Sequence, residues 1–261
     1  MHATSLTDAR LAALREEVRM IESSGRAAGR SVLPFGLDPV DRRLAGGGLA
    51  VGALHEAAPA SAALGDDAAA TLFLASLAAR LSRQAEGGTV LWALARRDLF
   101  APGLALAGLT PERLLYAECR RDADVLAVME EGLRHGGLAA VVGEIGALGL
   151  AAGRRLQLAA EEGGTTALAL RRRRRAGADP LAQPSAAVSR WRIGCVPSAR
   201  MDVPAVGRPR WDVALVRQRG GEPHQWILEA PDAEARLALP SRPADRADPA
   251  GGEERIDRRA A

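Results

Sequence analysis

Phe35-Gly36-Leu37-Asp38-Pro39-Val40-Asp41-Arg42-Arg43-Leu44-Ala45-Gly46-Gly47-Gly48-Leu49-Ala50-Val51-Gly52-Ala53-Leu54-His55-Glu56 sets a short helix, a glycine turn and a strand in a fixed order. Leu37, Val40 and Leu44 recur at steps of three and four, the spacing of one apolar helix face. The glycines that follow supply the positive φ of a tight reversal. Downstream, apolar runs at 51–57, 89–94, 114–118, 138–142 and 166–170 read as strands, and 68–84, 122–134 and 150–162 carry helical spacing. That alternation predicts an α/β fold, a mostly parallel twisted sheet with helices on its faces. Asp66 and Asp122 stand where N-caps are expected, and Gly87, Gly136 and Gly163 where the helices should stop. From residue 188 the helices give way to extended segments at 188–196, 211–219 and 225–228, which predict antiparallel strands added to the end of the sheet. Upstream, Leu11, Leu14, Val18 and Ile21 form one stripe of a separate amphipathic helix over 5–23, joined to the rest by a Gly- and Ser-containing linker. Such a helix either folds back on its own domain or docks on another chain. The resulting division is 1–30 for helix and linker, 31–238 for the sheet domain, and 239–261 for a polar tail expected to be disordered.

The 261 residues suffice for one sizeable core, and 48% of them are hydrophobic. No apolar run approaches the ~18 residues that a membrane helix needs, and the N-terminus lacks a basic-then-apolar leader, so the protein is expected to be cytoplasmic. Cys119 and Cys195 lie far apart and the four histidines do not cluster, which argues against a metal or a disulfide framework. Every one of the 35 basic residues is arginine, so chemistry that needs a lysine amine is excluded. A net charge of +3 permits nucleic-acid binding without demanding it.

The opening segment resembles the stretch that introduces the nucleotide site in the RecA superfamily. The residues Gly52-Ala53-Leu54-His55-Glu56, Trp92, Arg190-Trp191-Arg192 and Arg217-Gln218-Arg219-Gly220-Gly221 make the resemblance closest to the ImuA family, over about residues 32–230. It implies a RecA-like core serving as an accessory factor in SOS-induced, error-prone translesion DNA synthesis and repair. The implied partners are an ImuB-like polymerase-family protein and an error-prone replicative-type polymerase subunit, with single-stranded DNA and weak self-association as further contacts. Two alternatives stay open: a SulA-like cell-division inhibitor acting on FtsZ, and a divergent DNA-dependent ATPase.

An active enzyme of this superfamily ends its first strand in a glycine-rich loop with a lysine and a hydroxyl for phosphate and Mg²⁺. Here the matching loop contains Ala58, Pro59, Ser61, Gly65, Asp66 and Asp67. It has no lysine, and its two carboxylates would repel a triphosphate. Gly143 stands where the Mg²⁺-organising aspartate belongs, and Glu144, one residue late, is expected on the other face. The segment Ala95-Arg96-Arg97-Asp98 puts arginine where the water-activating glutamate would be. The expectation is a protein without catalytic residues, cofactor or metal. The resemblance implies that the Pro- and Gly-containing loop 176–187 matches the second DNA-binding loop of RecA; Arg171, Arg172, Arg173, Arg174 and Arg175 before it, with Arg190 and Arg192 after it, are the candidate DNA contacts, although five consecutive arginines cannot all face one way. Candidate partner contacts are the N-terminal stripe together with Arg217, Arg219 and Trp226. Trp191, Trp211 and Trp226 are otherwise read as packing elements rather than base-stacking platforms.

Overall fold

The computed structural model describes residues 31–85, 88–173, 179–198 and 207–240. The N-terminal stripe, the tail from residue 241, Gly87, Arg174 and Arg175 lie outside the described residues. In the opening segment, Val32–Leu33 (β1) pairs antiparallel with Leu49–Ala50 (β2), with the short helix Asp38–Asp41 (α1) between them. The Asp41 carboxylate fixes α1 by accepting the backbone N–H groups of Phe35, Gly36 and Leu37 at 2.6, 2.9 and 3.1 Å. Gly46 and Gly47 reverse the chain at φ of 81° and 80°. A β-carbon on Gly48 would lie 2.7 Å from the Leu33 carbonyl oxygen, so β1 and β2 approach closely only because the side chain is missing.

The main sheet has eight strands: Leu54–Pro59 (β3), Val90–Leu94 (β4), Leu114–Glu118 (β5), Ala140–Ile145 (β6), Thr166–Arg171 (β7), Ser189–Val196 (β8), Arg210–Gln218 (β9) and His224–Glu229 (β10). Their spatial order is β10-β9-β8-β3-β7-β6-β4-β5. Pairings from β8 across to β5 are parallel, and β8–β9 and β9–β10 are antiparallel. The antiparallel addition therefore starts one strand later than the sequence pattern suggests, because β8 runs parallel to β3.

Both faces of the parallel strands are covered, which is why they read as near-continuous apolar runs. Helix Leu64–Gln84 (α2) covers one face, where Phe73, Leu74 and Leu77 join Trp92, Val142 and Trp191. The short helix Ala101–Leu106 (α3) adds Leu104 to that core. Helices Asp122–His135 (α4) and Leu150–Gly163 (α5) cover the other face through Met129, Leu133, Leu156 and Ala160. No described helix is long and apolar enough to cross a membrane.

Several details differ from the sequence pattern. Helices α2 and α4 take Ala63 and Arg121 as N-caps without a side-chain cap, so Asp66 and Asp122 sit inside the first turn. Helix α5 closes on Gly164, at φ 65°, one residue beyond Gly163. Trp226, expected also among the partner contacts, is a core residue. Its ring lies 6.3 Å from that of Trp191, and its indole N–H donates to the Pro39 carbonyl at 3.0 Å. Trp191 packs in turn against Phe73 and Phe35, with ring centroids 5.5 and 5.6 Å away.

Candidate functional site

Strand β7 runs out into the arginine run, and side-chain alternation sends Arg171 and Arg172 to opposite faces of the sheet. Arg171 points to the α5 side and is buried. Its Nη1 donates to Glu56 Oε2 at 2.8 Å, and Arg190 Nη2 and Nε reach the same oxygen at 3.2 and 3.3 Å. The Ser185 hydroxyl donates to Glu56 Oε1. Glu56, wholly buried in β3, thus serves two buried guanidinium groups. Burial pulls the Arg171 pKa below its ordinary range, with Glu56 opposing and Arg190 adding to the shift.

Arg172 points the other way, toward the N-terminus of α2. Its Nη2 and Nε donate to Glu144 Oε2 at 2.8 and 3.0 Å, its Nη1 pairs with Asp67, and Asp98 lies 3.5 Å from Nη2. The Trp92 indole N–H donates to the remaining Glu144 oxygen at 2.9 Å. Glu144 therefore lies on the face opposite Gly143, as the one-residue shift predicts, but that is the α2 face, so its carboxylate meets the start of α2 instead of turning away from it. Ala140 and Val142 share its face, whereas a β-carbon on Gly143 would sit 2.0 Å from Met129 Sδ of α4. Asp67 at the start of α2 and Glu144 near the end of β6 are joined by an internal guanidinium.

Three carboxylates share this one arginine. Burial would lower the Arg172 pKa, but Glu144, Asp67 and Asp98 together raise it. Burial raises the Glu144 pKa, and Arg172 and Trp92 offset this in part. Below the usual carboxylate value of 4.5, Glu144 is protonated in both the folded and the unfolded chain. As pH rises the unfolded chain ionises first, so the stability associated with Glu144 is present at low pH and lost through the raised folded value. Glu144→Gln removes that loss. The Tm of the variant minus that of the parent should become more positive between about pH 4 and pH 7. A difference that stays level or falls across thermal melts in this range would show that Glu144 ionises freely in the fold.

The loop residues are tied down in the same way. Strand β3 continues through Ala58 and Pro59, leaving residues 60–63 to reach α2. Ser61 Oγ donates to Asp66 Oδ2 at 2.6 Å, Asp66 Oδ1 accepts the Cys195 N–H at 2.7 Å, and Cys195 Sγ reaches the Gly65 carbonyl at 3.2 Å. Arg173 Nη2 donates to the Ala60 carbonyl at 2.8 Å.

The expectation that Arg171, Arg172 and Arg190 meet DNA phosphates is corrected by their burial in ion pairs. Arg192 is partly exposed and pairs with Asp179 at 2.6 Å. Arg217 and Arg219 donate to the Ser185 and Ala186 carbonyls at 3.1 and 3.3 Å. Asp122 accepts the Gly146 N–H at 2.8 Å and so ties α4 to the end of β6. Arg171 and Arg172 thus divide between two internal clusters, and Arg96, Arg120 and Arg121, which were not proposed as contacts, gather with Arg173 in one cavity.

No family model matches the chain. It is 43% identical over 207 residues to Protein ImuA of Caulobacter vibrioides strain NA1000 / CB15N, covering 77% of this chain and 84% of that protein. The figures are the same for Protein ImuA of C. vibrioides strain ATCC 19089 / CIP 103742 / CB 15. Among solved structures, SulA from Pseudomonas aeruginosa aligns with a TM-score of 0.38 at 29% identity, covering 46% of this chain and 97% of that one.

Proposed function

The chain belongs to the ImuA family, and on that premise we propose that it is an accessory factor in damage-induced, error-prone translesion synthesis that acts by binding and does not hydrolyse ATP. The observation that carries the proposal is the Asp67–Arg172–Glu144 bridge, an internal cation between two carboxylates at the mouth of the old nucleotide site. A triphosphate entering there would face Asp66 and Asp67 and would have to displace Arg172 from its buried partner Glu144. Both steps oppose binding. The proposed partners are an ImuB-like polymerase-family protein and an error-prone replicative-type polymerase subunit, in the cytoplasm, with single-stranded DNA as a further ligand. Leu11, Leu14, Val18 and Ile21 would supply the partner contact, each contributing roughly 1.5–3 kcal/mol if fully buried. Ordering and association costs offset much of that, which suits a micromolar complex.

One set of preparations tests both halves of the reading. The full chain and its Leu14→Asp, Val18→Asp variant are titrated against the ImuB-like partner by calorimetry, and ATP turnover is measured with and without single-stranded DNA. The expected result is binding by the parent, a loss of at least about tenfold in the variant with its circular dichroism unchanged, and no turnover by either. Turnover at or above about 0.1 per second with DNA would overturn the non-hydrolysing reading. Equal binding by parent and variant would remove the stripe from the partner surface.

A further inference from the structure

Strand β4 has β5 on one side and β6 on the other. The chain leaves β4 toward β5 and leaves β6 toward β7, in opposite directions along the sheet. The crevice between the carboxyl ends of β4 and β6 is therefore a topological switch point, the place where open α/β sheets hold ligands. A cavity of about 650 Å³ opens there, within the size range of small-molecule sites. Arg96 follows β4, Arg120 and Arg121 follow β5, Gly146 follows β6, and Arg173 follows β7, and all of them line it.

The charge available in the cavity is positive. Its two carboxylates are engaged, Asp122 with the Gly146 N–H and Glu144 with Arg172 and Trp92. Arg96 and Arg121 hold exposed pairs with Asp98 and Asp124, which an incoming anion can replace at little cost. Arg120 is exposed and makes no hydrogen bond or ion pair among the described residues. Among the described residues no aromatic or large apolar side chain lines the space, so none of them would grip a base. What remains is a set of planar guanidinium groups suited to phosphate oxygens.

We propose that this cavity is a phosphate-chain site, taking at least two linked phosphates without reading sequence. The backbone of single-stranded nucleic acid is the first candidate source and free polyphosphate the second. The proposal deepens the DNA-binding part of the proposed function and moves it from Arg171 and Arg172 to the rim formed by Arg96, Arg120 and Arg121.

The test uses the full chain, a labelled oligothymidylate of about 20 nucleotides followed by anisotropy over about 50–200 mM salt, and inorganic tripolyphosphate followed by calorimetry. Arg120→Ser, Arg121→Ser is compared with Arg42→Ser, Arg134→Ser, which removes the same charge elsewhere: Arg134 is in the last turn of α4, whose first turn faces the cavity. Both pairs are exposed, and circular dichroism checks the fold. The expected result is at least about tenfold weaker oligonucleotide binding by the cavity variant. Its log–log salt slope should be flatter by about 0.7 per lost contact, and the control should behave as the parent. Equal behaviour of the two variants on a parent that binds would overturn the cavity assignment and leave DNA binding itself standing. Tripolyphosphate binding that is lost in the cavity variant, with no oligonucleotide binding by the parent, would keep the cavity and overturn the DNA reading. Binding of neither ligand by the parent would overturn both.

Discussion

Glu56→Ala should destabilise the fold by ~3–5 kcal/mol, because it leaves two buried guanidinium groups facing each other without a counter-ion. Arg171 and Arg190 sit on the strands flanking β3, and Glu56 Oε2 is the atom both reach. Neither cation lies in solvent, since both are buried. For a domain of this size, the loss corresponds to a fall in Tm of roughly 10 °C. Glu56→Gln keeps an acceptor without the charge and should recover part of the loss. Replacing the whole cluster, with Glu56→Leu, Arg171→Met and Arg190→Met together, should bring stability back to near the parent value, because well-packed apolar groups replace buried ion clusters without penalty. Thermal and urea melts of the three variants measure this. A loss under about 1 kcal/mol for Glu56→Ala would mean that water reaches the cluster and that its burial contributes little.

The secondary structure was legible because parallel strands covered on both sides are written as unbroken apolar runs, and the turn at Gly46 and Gly47 needs a backbone that only glycine adopts without strain. The site was less legible. A run of five arginines reads as a solvated surface when taken alone. The signal that assigns it lay elsewhere, in Glu56 and Glu144, two acids set among buried apolar residues of β3 and β6, each of which demands a buried cation. Arg171 and Arg172 leave the strand that lies between β3 and β6, on alternate faces, and so can meet one acid each. What the sequence could not give is the strand order, and without it neither that match nor the gathering of Arg96, Arg120 and Arg121 at one crevice can be seen. Trp226 shows the same limit, since the aromatic character was plain but its position beneath Pro39 depends on α1 folding over β10.

Arg172→Met should have an effect of comparable size, with a pH dependence that identifies its cause. Removing the guanidinium leaves Asp67 and Glu144 without their cation and Asp98 with its exposed pair to Arg96, and Glu144 among them is buried beneath α2. The loss at neutral pH is expected to be ~3 kcal/mol, at the lower end for a broken buried pair, because Asp98 is partly exposed and screened by solvent. With the arginine gone, Glu144 loses the cation that offsets its burial and its folded pKa rises further than at present. The variant should then bind protons on folding. Its deficit should be smallest near about pH 4 and grow as pH rises through the carboxylate range. Adding Glu144→Gln should restore more stability in the Arg172→Met background than it changes in the parent, a coupling above about 1 kcal/mol in a double-mutant cycle. A deficit independent of pH would show that Arg172 acts through packing of its stem rather than through its charge. The same prediction bears on the DNA question: substituting the whole arginine run would lower DNA binding by unfolding the α2 face, so among the described residues a contact role is tested at Arg173, at Arg192 and around the cavity rim, where charge can be removed while both buried clusters stay intact.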